Sequence, residues 1–318
     1  MDDRIAAALA AAFPDREAAE TTPAGPSWNP TNRTVRVDFT DGGAAYLKIA
    51  VDGDGTRIAR ERTVTDYVSA NRDVPAPTVL SSDAGGDVPY LATAPLPGES
   101  VAERWSEWSV EERAKAARRI GRALASVHAA TFDAHGHVTG GGAGGLTLDT
   151  APWTEVLVDR IEAMRALAPA DRFDRHYDEV IAAVEANRDL LDDAPAALVH
   201  GDPAMPNCFR GEAGVGFVDW EAAHVGDPAR ELHCFRARAI DGSRDPGDER
   251  VVTALREGYR DRAGSLPPGF AERRPVYRAV EFLGTSGFVE KTAEFVGEPV
   301  AAFAAWVDAE MDRRLADL

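Results

Sequence analysis

The stretch 197-ALVHGDPAMPNCF-209 places His, Gly, Asp and Asn within eight positions and sets two prolines among them. Alone, it is an ordinary turn, because Gly, Pro, Asp and Asn dominate turns for local conformational reasons. What surrounds it is more demanding. The apolar run "APAALV" before it reads as a short strand. Asn207 stands five residues after Asp202. Beyond it, "NCFR", the turn "RGEAG" and "VGFVD" read as a hairpin that returns Asp219 to the neighbourhood of Asn207. Amide and carboxylate oxygens suit a hard cation such as Mg²⁺, which also keeps waters and phosphate oxygens in its shell. Asn207 and Asp219 are therefore candidate metal ligands, and Asp202 is left to accept a proton from a substrate hydroxyl. Pro203 and Pro206 fix φ and stiffen the loop, as a preorganised site requires.

Upstream of this stretch the chain divides by character. The spacing predicts a helix over 2–12, and then "RTVRVDF", "TDGG" and "AAYLKIA" read as a strand, a hairpin turn and a returning strand. A helix follows over 57–70, with Ile58, Val64, Tyr67 and Val68 on one broad face. Two more short strands lie in "TVLSSDAGGDVPYLATA". "PLPGES" then punctuates the chain, and "SVEERAKAARRIGRALASVHAA" is a long amphipathic helix opened by a Ser109–Glu112 capping box. A Gly-rich loop, "HGHVTGGGAGG", precedes helices near 152–168 and 173–190, and the chain from 230 onward is helical. The expected fold is α+β and two-lobed: an antiparallel-sheet lobe over residues 1–94 and a mainly helical lobe over 95–318.

Composition narrows the function. Thirty-five basic residues against 53 acidic give a net charge of −18, which argues against nucleic acid or an anionic membrane as partner. No apolar run is long enough to span a bilayer, and the acidic start lacks signal-peptide features, so a cytoplasmic location is expected. Cys208 and Cys234 make no CxxC pattern and no disulfide framework. The chain has three lysines, Lys48, Lys115 and Lys291, and an acidic, lysine-poor surface suggests adaptation to high salt, where charge is strongly screened. In such a chain a lysine inside a strand asks for a specific reason.

Asp202 and Asn207 of the opening stretch and Asp219 beyond it follow the spacing of the protein-kinase catalytic loop and the metal-binding Asp after it. "VHGDPAMPNCF" followed by "VGFVDWEAAHVGDPARELH" resembles the aminoglycoside phosphotransferase and choline kinase-like superfamily, which has a protein kinase-like fold. "NRTVRV" resembles its first hairpin, "YLKIA" its lysine strand and "YLATAPLPGES" its interlobe hinge. The resemblance implies an ATP- and Mg²⁺-dependent phosphotransferase. Asp202 is then the base, or at least the group orienting the acceptor hydroxyl, and Asn207 and Asp219 hold Mg²⁺. Lys48 contacts the α- and β-phosphates, Glu61 fixes Lys48 by an ion pair, and the Ala94 carbonyl and Leu96 N–H take the adenine edge. His200 braces the loop. Glu61 also has a plainer reading as a surface salt bridge to its neighbours Arg60 and Arg62.

This chain departs from the family pattern over the phosphates, where "GPSWNPTNRT" holds a single glycine. Ser27, Thr31 and Asn32 offer side-chain donors in place of backbone N–H groups there, and whether that loop contacts the phosphates stays open at this level. Trp-Glu after Asp219 resembles small-molecule kinases rather than protein kinases. His128, His135 and His137 have no ligand spacing for a metal site. Glu221, Asp227 and Glu231 lie where a cationic acceptor could bind, in a chain rich in carboxylates everywhere. Two functions remain open at this level: phosphoryl transfer to a small-molecule hydroxyl, of aminoglycoside, amino-alcohol, sugar or ketosamine type, and a nucleotide-binding regulator that keeps the fold without transfer. Neither the acceptor nor the oligomeric state is legible.

Overall fold

The computed structural model describes residues 2–25, 31–242 and 244–318. Helix α1 (Asp3–Ala12), capped by the Asp2 side chain, leads into strand β1 (Ala18–Pro23), then β2 (Asn32–Phe39) and β3 (Ala44–Ala50). Helix α2 (Thr56–Asn71) and strands β4 (Val79–Asp83) and β5 (Tyr90–Thr93) complete an antiparallel sheet of order β1-β2-β3-β5-β4. β1 was not among the strands expected from the sequence. It carries no alternating apolar residues and is held by its ladder to β2, with Thr21 opposite Val37.

Side chains alternate across β3. Leu47 and Ile49 enter one face of the sheet and pack with Val35, Val37, Phe39 and, from α1, Ile5 and Ala8. Lys48 and Ala50 point to the other face, where Ala50 meets Ile58 of α2 and Leu91 of β5. The buried stripe of α2 runs Ile58, Glu61, Val64, Thr65, Val68. Its far end, Val64 and Val68, joins the main hydrophobic cluster of the helical half, so α2 links the two halves.

The chain then passes through β6 (Glu99–Ser100) and α3 (Val101–Trp105) into α4 (Val110–His128), whose capping box is formed as expected. The Gly-rich segment expected as a loop is instead a hairpin, β7 (Gly136–Gly142) and β8 (Gly145–Thr150). Its glycines permit the ladder: a Cβ on Gly136 would lie 2.3 Å from Asp149 O. Helices α5 (Trp153–Leu167), α6 (Asp174–Ala186) and α7 (Arg188–Asp192) follow. Next come β9 (Ala197–Val199), β10 (Cys208–Gly211), β11 (Gly214–Phe217) and β12 (His224–Gly226). The helical remainder is α8 (Pro228–Phe235), α9 (Glu249–Ala263), α10 (Arg274–Gly287), α11 (Val289–Val296) and α12 (Val300–Ala316).

Two small sheets set the frame of the site. β10 pairs with β11 on one side and with β6 on the other, so the strand that leaves the first half is stitched to the hairpin behind the opening stretch. β9 and β12 sit side by side in the order β8-β7-β12-β9. Behind them α4 lies tight against α9. A Cβ on Gly121 would come 2.1 Å from Leu255 O, and one on Gly258 would come 1.9 Å from Arg118 O, so both positions exclude any side chain.

Candidate active site

Because β3 turns Lys48 away from the α1 face, its ammonium meets α2 and the segment after β11. Nζ lies 2.6 Å from Glu61 Oε2, 2.5 Å from Asp219 Oδ1 and 2.9 Å from Glu221 Oε2. Glu61 is only 7% exposed, which excludes the surface salt bridge; Arg62 turns outward to Asp66 at 3.1 Å, and Arg60 donates to the carbonyls of Val138 and Glu221. Burial works against the Lys48 charge, yet Asp219, Glu61 and Glu221 outweigh it and hold its pKa well above the ordinary lysine value. Glu61 moves the other way: burial pushes its pKa up, and Lys48 offsets this only in part while Asp219 and Glu221 add to it. Three carboxylates thus share one buried cation.

The oxygens of Glu61, Asp219 and Glu221 lie within 4.8 Å of one another. Such a set of hard donors fits Mg²⁺. Asn32 is buried and donates its amide Nδ2 to Glu221 Oε2. Thr31 accepts from Val51 N–H at 2.8 Å, and Ser27 lies outside the described residues. Ala94, on the segment leaving β5, donates its N–H to Thr78 O at 2.8 Å, and Leu96 is buried two residues on.

The opening stretch folds as a rigid loop between β9 and β10. Gly201 has φ +84, and a Cβ there would lie 2.2 Å from Ala222 O, so only glycine fits between the loop and the segment after Asp219. His200 is fully buried; its Nε2 lies 2.9 Å from Val218 O and its ring centroid is 4.5 Å from that of Trp220. Asn207 donates Nδ2 to the Asp202 backbone carbonyl at 3.0 Å and to Asp202 Oδ2 at 3.3 Å, while its own carbonyl accepts from Val218 N–H at 3.0 Å. That backbone bond brings the end of β11, and with it Asp219, alongside the loop. Asp219 takes the left-handed conformation, φ 67 and ψ 60, the single non-glycine with positive φ among the described residues. Such strain costs on the order of 1–3 kcal/mol and is held where surrounding structure over-determines it.

The group that holds this loop from behind contains Glu231 and His128, whose bracing role the sequence did not show. Glu231 on α8 accepts from His200 N–H at 2.9 Å and Gly201 N–H at 2.6 Å, and also lies 2.8 Å from His128 Nε2. His128 Nδ1 meets Tyr259 OH at 3.1 Å, so α4, α8 and α9 all bear on the loop. Burial would raise the Glu231 pKa, but its hydrogen bond and charge interaction with His128 hold it below the ordinary value. Glu231 is therefore not open to a cationic acceptor. Nor are the other two: Glu221 sits on Lys48, and Asp227 is 1% exposed, caps α8 through Ala229 N–H and accepts from Arg273 and Tyr277. His137 pairs with Asp159 at 3.1 Å, and His135 packs beside Trp153, each apart from His128.

Comparison with known proteins gives the family and the fold. A family model described as "Phosphotransferase enzyme family" matches residues 26–276. Among solved structures, a thermostable form of aminoglycoside phosphotransferase APH(4)-Ia superposes with a TM-score of 0.62 at 16% identity, with 97% of each chain covered. A candidate fructosamine-3-kinase from Thermobifida fusca gives 0.61 at 20% identity over 98% of each chain. APH(2″)-IIa, in a complex with streptomycin and ATP, gives 0.57 at 13% identity, over 100% of this chain and 97% of that one. No curated protein matches the sequence. The structural likenesses carry the fold and the family model carries the membership: the chain belongs to the phosphotransferase enzyme family and is a small-molecule kinase with a two-lobed, protein kinase-like fold.

Proposed function

We propose that the protein transfers the γ-phosphoryl group of ATP, with Mg²⁺, to a hydroxyl of a small molecule. One observation carries the reading. Lys48 and Asp219, 171 residues apart in sequence, meet at 2.5 Å, and Asn207 ties Asp219's segment to Asp202. In this reading residues 1–94 are the nucleotide-binding lobe and 95–318 the catalytic and acceptor lobe. Lys48 exchanges carboxylates for the α- and β-phosphates, Glu61 keeps it aimed, Asn32 lies at the phosphate end, and the Ala94 carbonyl and Leu96 N–H edge the adenine. Thermostable mutants of APH(4)-Ia, a structural neighbour, are known in ternary complexes of hygromycin B with ADP or AMP-PNP, which supports nucleotide binding by this chain.

Asn207 and Asp219, with Glu221 beside Asp219, would hold Mg²⁺, which would supply positive charge against the phosphate oxygens. Asp202 orients the acceptor hydroxyl and takes its proton as that oxygen bonds to the γ-phosphorus and the bond to ADP breaks. Because phosphoryl transfer needs mainly positioning and charge stabilisation, the supports behind the loop matter: Glu231 fixes the backbone of His200 and Gly201, and His200 fixes Val218.

The reading is tested with purified protein, Mg²⁺-ATP and a panel of aminoglycosides, amino alcohols, sugars and ketosamines, products being read by mass spectrometry. At least one phosphorylated product is expected. The second reading, a nucleotide-binding regulator, is favoured by the carboxylates that already occupy Lys48. Strong thermal stabilisation by Mg²⁺-ATP without any product would select it.

A further inference from the structure

Asp202 meets a second group of residues that the motif does not contain. The chain leaves α8 through a π-helical turn, Arg236–Ile240, a geometry frequent at functional sites. The turn carries Arg238, whose Nη1 lies 2.5 Å from Asp202 Oδ1 and whose Nη2 lies 3.3 Å from Glu281 Oε2 on α10. Glu281 Oε1 in turn lies 2.8 Å from Arg230 Nη2. The inner pair is sealed, with side chains 5% and 1% exposed, whereas Arg238 and Asp202 are 32% and 38% exposed, open to a small molecule.

The charge around Asp202 is unbalanced toward the positive. Arg160 reaches the same loop, donating to Ala222 O at 3.0 Å and to Gly201 O at 3.4 Å, so its contacts there are neutral carbonyls. Nε of Arg160, Nε of Arg230 and both carboxylate oxygens of Glu281 are buried without a hydrogen-bond partner among the described residues, so Glu281 is held by the charges of Arg230 and Arg238. Burial, then Arg230, Arg60 and Arg238, push the Arg160 pKa down to about 9. Arg238 and Arg230 therefore pair with Asp202 and Glu281, Arg160 adds a third guanidinium that touches the loop only through carbonyls, and Glu231 spends its carboxylate on backbone N–H groups behind the loop, all inside a chain of net charge −18. The carboxylates that could have received a polycation, Glu221, Asp227 and Glu231, are all engaged internally.

We propose that Arg238 recognises an anionic substituent on the acceptor, so that the hydroxyl compound phosphorylated here bears a carboxylate or a phosphate rather than an array of amines. This rests on the phosphotransferase reading. The planar guanidinium fork suits either anion in bidentate form. When the acceptor anion takes Arg238, one anion replaces another, so the arginine stays paired, and Asp202 Oδ1 is released to the hydroxyl beside it.

Matched acceptors test this with the whole enzyme and Mg²⁺-ATP. Glycerate, 4-hydroxybutyrate and glycerol 3-phosphate are compared with glycerol, 4-hydroxybutyramide, 4-aminobutan-1-ol and an aminoglycoside, by turnover and by thermal shift. The anionic members are expected to exceed their neutral and cationic counterparts by about 10- to 100-fold in kcat/KM, the value of a charge-assisted hydrogen bond; the carboxylates against the phosphate separate the two anion sources. Arg238→Gln should erase the preference by raising KM for the anionic members to that of the neutral ones. The wild-type comparison stands by itself if that variant fails to fold. A wild-type preference for neutral or cationic acceptors, or a preference for anions that survives in Arg238→Gln, overturns the assignment. Efficient phosphorylation of a cationic acceptor would do so while leaving the phosphotransferase reading intact; absence of both turnover and anion-dependent stabilisation would remove the assignment too.

Discussion

Lys48 and Glu281 occupy mirror-image positions in the two halves of the site. Lys48 is the buried cation among the carboxylates of Glu61, Asp219 and Glu221. Glu281 is the buried carboxylate among guanidinium groups, in contact with Arg230 and Arg238 and with Arg160 close enough to affect its charge. One cluster has too much negative charge and the other too much positive. Neither is an efficient way to stabilise a fold, since burying ions costs about as much as pairing them returns. Each makes sense as a place that receives a ligand of the missing sign: a divalent cation beside Asp219 and an anionic acceptor beside Asp202.

The strongest way to break this comparison is to remove the central ion of each cluster. Lys48→Met leaves three carboxylates without their buried counter-ion and should cost about 3–5 kcal/mol in metal-free buffer. Added Mg²⁺ should raise the Tm of this variant more than that of the wild type. Glu281→Gln should cost a similar amount, about 3–5 kcal/mol, and here sulfate rather than Mg²⁺ should restore the Tm. Denaturant titrations at constant ionic strength check both. Equal rescue of both variants by either ion would show that the two clusters do not differ in kind.

A finer test uses pH. The folded-state pKa of Glu61 is raised, so the folded protein holds the proton longer than the unfolded chain does. The contribution of this group is then fully present below the ordinary value of 4.5 and is lost as pH rises toward the folded value. In metal-free buffer the wild type should therefore lose stability relative to Glu61→Gln between pH 4.5 and neutrality, by about 1.4 kcal/mol for each unit of displacement. Mg²⁺ should flatten the difference. A difference that is constant with pH contradicts the shared-cation account of Lys48.

The smallest effect belongs outside both clusters. Ser109 accepts from Glu112 N–H at 3.3 Å to open α4, and Ser109→Ala should cost about 1 kcal/mol. Kinetic constants should not change, because the cap is remote from the charges at issue; a fall in kcat would mean that α4 positions the loop through His128 more tightly than the cap's own energy implies.

How much of this was legible in the sequence depends on how local the signal is. Helices α2 and α4, the hairpin β2–β3 and the hairpin β10–β11 follow from periodicity and turn residues over a few positions. The Asp202, Asn207 and Asp219 spacing is likewise local, and the structure brings those residues together with Lys48. β1 was hidden because its polar run is ordered by a partner strand, not by its own pattern. The β7–β8 hairpin was hidden by glycines that read as a loop but serve close strand approach. Glu221 was placed on the wrong side of the site, although its position two residues after Asp219 was a usable hint. Arg238, Glu281 and Arg160 carry no motif. Arg238 and Arg160 meet Asp202 and its loop from a π turn and from α5, Glu281 meets Arg238 from α10, and only tertiary packing joins them.

The central claim is that Asp202, Asn207, Asp219 and Lys48 form one site for phosphoryl transfer. The most direct measurement is acceptor-dependent formation of phosphorylated product from Mg²⁺-ATP by the wild type and by Asp202→Asn, with ATP affinity measured in parallel. The account predicts that Asp202→Asn retains ATP affinity while kcat falls by about 10²–10⁴, the contribution of a positioned acid–base group. Full turnover in Asp202→Asn would contradict it.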